Sequence, residues 1–280
     1  MEKITKAIIP VAGWGTRRLP ITKIIEKSML PVGNRPLVDY SVQELIKAGV
    51  KDIYMIVSNV EPCQVRAYYR DNLALNLYLK ERGKADRLEK AKTIADDVKI
   101  HYITQDPSGK YGTAIPIALA VEEYNLNEPI LYYMGDDFIW NPDGPSATDL
   151  LTGAVKDRTE SAIYGLELSP EETTKFAALT SDKDGFLTGI VEKPPVEEAS
   201  GKLSSVGKYI LSPELLKEIV KYVQENDFGP EDQEYMITDP IETYIKSGGK
   251  MRVVKGEGEQ LDGGTLEGWV HANNVVCGGK

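Results

Sequence analysis

The sequence predicts an α/β protein with a mixed, mainly parallel central sheet. The first observation is a strand–helix–strand unit, with an apolar run at 7–12, a helical pattern over 35–48 and a second apolar run at 53–57. The second is that apolar runs at 99–104 and 130–134 continue the alternation with helical stretches, which is typical of parallel sheets covered by helices. The third is a change after Pro145, where short strand-like segments become more frequent.

The helices of the first half are predicted from apolar spacing. In the helix over 35–48, one face carries apolar side chains at Val38, Val42, Leu45 and Ile46. Gly49 follows where a C-cap glycine belongs. Further helices are expected within 61–92 and over 114–124. The charged stretch at 80–92 is either a solvated helix face or a subunit contact.

The second half is predicted to mix strands with three helices. The expected strands are at 162–168, 177–179, 186–192, 205–211 and 251–254. The expected helices are at 213–225, 238–247 and 266–275, the first of them with Ser212 as N-cap and Pro213 at its first position. Because no internal repeat or flexible linker interrupts the chain, we expect one domain over 1–280 with two halves, 1–145 and 146–280.

Composition excludes several classes of function. The 280 residues are 41% hydrophobic and 27% charged, as in ordinary globular proteins, and the net charge of −10 argues against general nucleic-acid binding. Since no apolar run approaches the ~20 residues that span a bilayer and no signal peptide is evident, we expect no membrane partner and a cytoplasmic protein. The two cysteines, Cys63 and Cys277, suggest neither a zinc site nor a disulfide framework.

The stretch after the first strand has the composition of an anion site. Gly13 and Gly15 allow a sharp turn whose backbone N–H groups can face phosphate oxygens. Four cations follow in the same loop: Arg17, Arg18, Lys23 and Lys27. Pro20 and Pro31 oppose a helix there. A strand, a glycine turn and a cation-rich loop are what a nucleoside triphosphate site requires; the alternative is a basic loop that merely solvates the strand end.

Two common nucleotide motifs do not fit this stretch. A dinucleotide-binding oxidoreductase needs a third glycine where Arg18 stands, and a P-loop needs Gly-Lys-Ser/Thr where the chain has Gly15-Thr16-Arg17. The stretch instead resembles the signature of sugar-1-phosphate nucleotidyltransferases, G-x-G-T-R followed by K-x-x-L-P, here residues 13–17 and 27–31. Residues 19–23 are most similar to the bacterial UTP–glucose-1-phosphate uridylyltransferase branch.

This resemblance implies a fold and a reaction. The fold is the Rossmann-like, three-layer nucleotide-diphospho-sugar transferase fold, with a nucleotide-binding half at 1–145 and a sugar-binding half at 146–280. The reaction converts UTP and glucose 1-phosphate to UDP-glucose and pyrophosphate with Mg²⁺. Its nucleophile is a phosphate oxygen that is already ionised, so no general base is needed. Members commonly form homodimers or homotetramers.

The resemblance also assigns roles to residues. The catalytic group is Arg17, Lys27 and Lys193, and the magnesium ligands are Asp136 and Asp262. The substrate-binding set is Ala12, Gly13, Gly15, Thr16, Gln105, Gly112, Asp137, Ala177, Glu192 and Gly207. Gln105 and Gly112 match positions that contact the base, and the Glu192-Lys193-Pro194 motif matches positions that contact the sugar and its phosphate. Pro194 is expected to keep Lys193 extended.

Other interpretations of single residues remain open at this point. Asp136 can cap a turn, Lys27 can face solvent, and Gln105 can be a turn residue.

The sequence departs from the family pattern in places that bear on specificity. Phe176-Ala177 stands where the family has Tyr-Gly. Typical uridylyltransferases have a lysine shortly after the second metal aspartate, whereas this chain has none after Asp262. The same chemistry with dTTP or another sugar phosphate is therefore an alternative. A catalytically silent regulator that binds a sugar nucleotide is a second.

Overall fold

The computed structural model describes residues 3–59, 61–228 and 234–278. Over these residues the chain is an α/β protein in which helices flank one large mixed sheet, and the predicted mixed, mainly parallel sheet is confirmed. In the part of the chain so described, no helix has the length and apolar character needed to cross a bilayer.

The strands follow the order of the chain. They are β1 (Lys6–Pro10), β2 (Pro31–Val32), β3 (Arg35–Pro36), β4 (Asp52–Ser58), β5 (Lys99–Gln105), β6 (Ile130–Tyr133), β7 (Asp137–Trp140), β8 (Ser161–Leu166), β9 (Ala177–Ser181), β10 (Leu187–Glu192), β11 (Leu203–Leu211), β12 (Met251–Lys255) and β13 (Glu259–Asp262).

The helices are likewise numbered in chain order. They are α1 (Leu37–Ala48), α2 (Gln64–Tyr69), α3 (Leu73–Glu81), α4 (Leu88–Ala91), α5 (Ile115–Tyr124), α6 (Ala147–Ala154), α7 (Pro170–Thr173), α8 (Val196–Ala199), α9 (Pro213–Glu225), α10 (Thr238–Lys246) and α11 (Leu266–Val276). Single 3-10 turns add Thr16–Arg18, Ile21–Lys23, Lys27–Met29 and Ala85–Arg87.

The large sheet has the order β10-β9-β11-β6-β1-β4-β5, with β8 paired to β11 and β12 paired to β8. Strands β6, β1, β4 and β5 are parallel, so their carboxyl ends meet at one edge, where ligands bind in open α/β sheets. The long strand β11 runs antiparallel to β6, β8 and β9 and joins the two halves. A small antiparallel ribbon of β7 and β13 stands beside this edge.

Apolar side chains cover both faces of the sheet. One face packs a cluster that includes Ile9, Val42 and Met55, and the other packs a cluster that includes Ile8, Tyr54 and Ile117. Ile8 and Ile9 are neighbours in β1 and lie in different clusters, as expected for a strand that is buried on both faces.

Several boundaries differ from the predictions. The helix expected at 35–48 begins at Leu37, because Arg35–Pro36 pairs with Pro31–Val32 as a short hairpin. The cation-rich loop contains three single 3-10 turns, which the prolines permit because such turns are short. The sequence did not predict β7 or α6, although α6 begins with a Ser146 capping box.

Candidate active site

A cavity of about 390 Å³ opens at the carboxyl ends of β1, β5 and β6. Nine of the predicted site residues line it: Ala12, Gly13, Gly15, Thr16, Arg17, Lys27, Gln105, Gly112 and Asp136. The glycine turn, the cation-rich loop and the predicted base-binding loop therefore face one space. A cleft at this edge with convergent charged groups is where an α/β protein holds a nucleotide.

The glycine turn folds the cation-rich loop back over the cavity. Gly15 has φ 63°, and a Cβ built there would lie 2.9 Å from Cβ of Lys27 and 3.0 Å from Cγ2 of Thr22. The Thr22 hydroxyl donates to the carbonyl oxygen of Gly15 at 2.9 Å. Glycine is needed at this position because the left-handed backbone and the close contact both exclude a side chain. This turn brings Lys27 to the cavity wall, where the exposed Arg17 also lies.

Lys27 and Asp136 form an ion pair in the cavity wall, between Nζ and Oδ2. Burial opposes ionisation of Asp136, but the charge and hydrogen bond of Lys27, together with the charge of Lys208, lower the pKa of Asp136 below its usual value. Asp136 is thus an ionised carboxylate that is paired with the ammonium group of Lys27. The alternatives of a solvent-facing Lys27 and a merely turn-capping Asp136 do not describe this pair.

The second predicted metal ligand, Asp262, lies next to Asp136. Strand β13 pairs with β7 so that Asp262 is opposite Asp137, and the Gly263 N–H donates to the carbonyl oxygen of Asp136 at 3.2 Å. The Gly264 N–H donates to Oδ1 of Asp262 at 2.7 Å, and a Cβ built on Gly264 would lie 3.5 Å from Nζ of Lys27. Two aspartates separated by more than a hundred residues are therefore brought together.

Asp137 has a different environment from its neighbour. It is buried, does not line the cavity, and its carboxylate is held by Nζ of Lys208 at Oδ1 and by Nε2 of Gln260, 2.7 Å away, at Oδ2. Burial and the charge of Asp136 raise the pKa of Asp137, and Lys208 opposes that rise. Both carboxylate oxygens already have protein partners, and the expected substrate contact of Asp137 stays a prediction.

The loop predicted to bind the base, which carries Gln105 and Gly112, is held by protein contacts on the side away from the cavity. The Gln105 side-chain amide donates to the carbonyl oxygen of Lys110 at 3.3 Å, which leaves its oxygen and a second N–H for a ligand. Gly112 has φ 136°, and a Cβ built there would lie 2.4 Å from both the backbone nitrogen and the carbonyl oxygen of Tyr235. The family resemblance places Gly112 where the base is contacted; the structure adds that the backbone of Tyr235 packs directly against this glycine.

The predicted sugar-binding residues are aligned across the sheet. Glu192 pairs with Ala177, and Ala177 pairs with Ser205. Two residues further along β11, the carbonyl oxygen of Gly207 accepts from the N–H of Met134 at 3.0 Å, and Met134 lies two residues before Asp136. Although Glu192, Ala177 and Gly207 do not line the 390 Å³ cavity, this row leads to its edge. The Ala177 methyl group is buried in an apolar cluster.

Glu192 is linked electrostatically to the cavity through Glu234. Burial raises the pKa of Glu192; Lys193 opposes the rise, and the charges of Glu234 and Asp239 add to it. Glu234 also lines the cavity. The carboxylate of Glu234, in the cavity wall, therefore acts electrostatically on Glu192, the residue predicted to bind the sugar.

The expectation that Pro194 keeps Lys193 extended is wrong. Lys193 has φ 44°, in the left-handed region, and its backbone N–H donates to the carbonyl oxygen of Phe176 at 2.9 Å. This turn leaves the side chain exposed, with Nζ 4.0 Å from Oε1 of Glu192. A strained backbone at a non-glycine residue persists where the surroundings enforce it, and it is common at functional sites.

The acidic residues present suit a hard divalent cation. Within the described ranges no three His, Cys, Asp or Glu side chains come together as a complete metal site. Asp136 and Asp262 supply carboxylate oxygens, and Asp136 is already in contact with a cationic group. Oxygen ligands in small number suit a cation that also binds phosphates.

Sequence reasoning missed Lys208, Gln260 and Glu234. A signal for Lys208 was available: in β11 it shares a strand face with Val206 and Ile210, which are buried, and a lysine at a core-facing position indicates a buried ion pair. Gln260 and Glu234 carry no such signal, because Gln260 contacts Asp137 from a distant segment and Glu234 reaches the cavity only through the fold.

Comparison with known proteins identifies the family. The family model described as nucleotidyl transferase matches residues 6–277. The chain belongs to the nucleotidyl transferase family. The predicted family is thereby confirmed, and nucleotidyltransferases of this family generally use a divalent metal.

Individual relatives are uridylyltransferases. The chain is 34% identical over 275 residues to UTP–glucose-1-phosphate uridylyltransferase of Staphylococcus epidermidis, covering 96% of this chain and 91% of the relative. It is 34% identical over 247 residues to the Bacillus subtilis protein of the same name, covering 86% and 80%. A solved UDP-glucose pyrophosphorylase with UDP-glucose superposes with a TM-score of 0.79 at 27% identity over 99% of this chain and 100% of that one. A solved apo structure of UDP-glucose pyrophosphorylase superposes with a TM-score of 0.85 at 27% sequence identity, over 98% of each chain.

Proposed function

We propose that this nucleotidyl transferase moves a uridylyl group from UTP to glucose 1-phosphate, giving UDP-glucose and pyrophosphate. The observation that carries the proposal is the single cavity shared by the glycine turn, Arg17, Lys27, Gln105 and Asp136. The names of the relatives support the same substrates. The presence of both cations and both aspartates argues against a silent regulator.

The reaction is an in-line displacement at the α-phosphorus of UTP. An ionised phosphate oxygen of glucose 1-phosphate forms the new bond, and the bond to pyrophosphate breaks. No proton is removed from the nucleophile, so the residues act by positioning and by charge neutralisation. Arg17 and Lys27 stabilise the charge that moves toward pyrophosphate, while the N–H groups of the turn at Gly13–Thr16 bind phosphate oxygens.

Asp136 and Asp262 would hold Mg²⁺ in this proposal. When bound, the ion neutralises phosphate charge and aligns the two reacting phosphates. Lys27 would then have two roles, contacting UTP and pairing with Asp136. Its ammonium balances Asp136 in the absence of the ion, which keeps that carboxylate ionised.

The sugar phosphate would bind beside Glu192 and Lys193. A carboxylate suits the vicinal hydroxyl groups of glucose, and a lysine ammonium suits the phosphate. The pairing that links Glu192, Ala177 and β11 to Met134 supports this position, because it leads to the same sheet edge as the cavity. Gln105 and Gly112 would contact uracil. Because β11 joins both sets of strands, we also infer that the halves act as one domain over 1–280.

The proposal is tested by incubating purified protein with each pair of UTP or dTTP and glucose 1-phosphate or another hexose 1-phosphate. Pyrophosphate release and the mass of the sugar nucleotide are measured. We expect UDP-glucose to form fastest and to require Mg²⁺. Equal rates with dTTP would overturn the uridylyl assignment, and no release with any pair would favour a silent binder. A cytoplasmic location and a homodimeric or homotetrameric state stay predictions.

A further inference from the structure

Lys208 is a fully buried lysine below the candidate metal site. It lies in β11, where Val206 and Ile210 on the same face belong to the apolar core. A buried ammonium is costly unless it is paired and its hydrogen-bond donors are used. Its contacts therefore indicate what it stabilises.

All three donors of Lys208 are directed at the connection between β6 and β7. Nζ contacts Oδ1 of Asp137 and lies 3.3 Å from the carbonyl oxygens of both Met134 and Asp137. The same ammonium is 5.2 Å from the ring centre of Tyr133, a favourable cation–π geometry. Since an ammonium has three N–H groups, the side chain is saturated by residues 134–137.

The contacts fix which of two adjacent aspartates faces the cavity. Asp137 is turned inward, with Lys208 on one oxygen and Gln260 on the other, while Asp136 points to Lys27 and the cavity. We propose that Lys208 is a positioning residue: it clamps residues 134–137 so that Asp136, and not Asp137, is presented to the divalent cation. This inference rests on the proposed function of the site.

Charge balance supports the same role. Asp137 is paired in register with Asp262, and Asp136 is its neighbour in the chain, so three carboxylates lie within a few residues of each other. Without the ammonium of Lys208, Asp137 would carry an uncompensated buried charge and would compete with Asp136 for any cation in the cavity. Lys208 confines that charge below the site.

The test measures metal binding as well as turnover. Mn²⁺ is titrated into an equimolar mixture of protein and UTP, and free Mn²⁺ is followed by electron paramagnetic resonance. The same titration of UTP without protein is subtracted, because UTP binds Mn²⁺ by itself. Because partners that orient metal ligands typically contribute 10- to 100-fold to affinity, we expect Lys208→Met to weaken Mn²⁺ binding about tenfold or more. Lys208→Arg, which keeps the positive charge, is expected to weaken Mn²⁺ binding less than Lys208→Met does.

Arg252→Met is the matched control. Arg252 pairs with the buried Glu160 at 3.2 Å and does not line the cavity. Losing this pair should lower the melting temperature and leave Mn²⁺ affinity unchanged. Where Lys208→Met fails to fold by circular dichroism, Lys208→Gln, which keeps two N–H donors without the charge, is measured in its place and is expected to weaken Mn²⁺ binding in the same direction.

Two outcomes separate this inference from the proposed function. A folded Lys208 variant that binds Mn²⁺ as tightly as the parent, or more tightly, overturns the positioning role, as does equal weakening by Arg252→Met. Failure of the parent to form any sugar nucleotide, or to bind Mn²⁺ with UTP, overturns the function itself, whatever the Lys208 variants do.

Discussion

The contact between Gly112 and Tyr235 gives a prediction whose size follows from the structure. A Cβ at position 112 would lie 2.4 Å from two backbone atoms of Tyr235, about 1 Å inside normal contact, so the two segments must separate by about that distance. Two hydrogen bonds flank the contact: Tyr235 N–H to the oxygen of Tyr111 at 2.8 Å, and Ala114 N–H to the oxygen of Tyr235 at 2.9 Å. A separation of 1 Å would break both.

Gly112→Ala should therefore destabilise the fold by about 3–5 kcal/mol. Each lost hydrogen bond contributes about 1 kcal/mol, and the backbone at φ 136° adds about 1–3 kcal/mol of strain for a residue with a side chain. Since the same loop carries Gln105, we also expect the KM for UTP to rise, by about tenfold if the loop loses one good contact.

Urea unfolding and initial-rate kinetics measure the two effects. Gly153→Ala is the control, because Gly153 lies in the last turn of α6 and a Cβ built there meets nothing within 4 Å. It should leave stability unchanged or raise it by up to about 1 kcal/mol. A Gly112→Ala protein within about 1 kcal/mol of the parent, with normal KM for UTP, would refute the packing argument.

Three further predictions concern the polar groups of the site. Asp136→Asn should lower turnover at least about a hundredfold with an unchanged circular dichroism spectrum, and a near-normal Mg²⁺-dependent rate would refute its ligand role. Lys193→Ala should raise the KM for glucose 1-phosphate about tenfold and more than the KM for UTP; the opposite ranking would mean that the two halves are reversed. Because the pKa of Glu192 is raised above 4.5 in the folded protein, its ionisation reduces stability as pH rises through that pKa. Glu192→Gln should thus be more stable than the parent to urea at pH 7 and equal to it below about pH 4.5, and a constant difference across pH would contradict this.

The candidate site was predictable where it depends on local sequence. A strand followed by Gly13 and Gly15 needs only neighbouring residues to form its turn, and Asp136 follows a plainly apolar strand. Asp262 was found through the family resemblance, and the structure brings it beside Asp136 through the pairing of β13 with β7. That pairing joins segments more than a hundred residues apart, and β7 itself was not predicted.

The features that were missed depend on tertiary contacts. The left-handed backbone of Lys193 opposes the local preference of a residue before proline and is held by the carbonyl of Phe176. Asp137 and Lys208 form their ion pair inside the sheet, where burial rather than sequence spacing decides the partner. A core-facing lysine can indicate that an ion pair exists, but local propensity does not indicate its partner.

The central claim is that Arg17, Lys27, Asp136 and Asp262 surround one phosphate-binding space. The most direct measurement is a crystal structure of the protein soaked with UDP-glucose and Mg²⁺. We expect a metal ion held by Asp136 and Asp262 on the diphosphate, with uracil at Gln105 and glucose at Glu192. A sugar nucleotide bound elsewhere, with the two aspartates free of metal, would contradict the account.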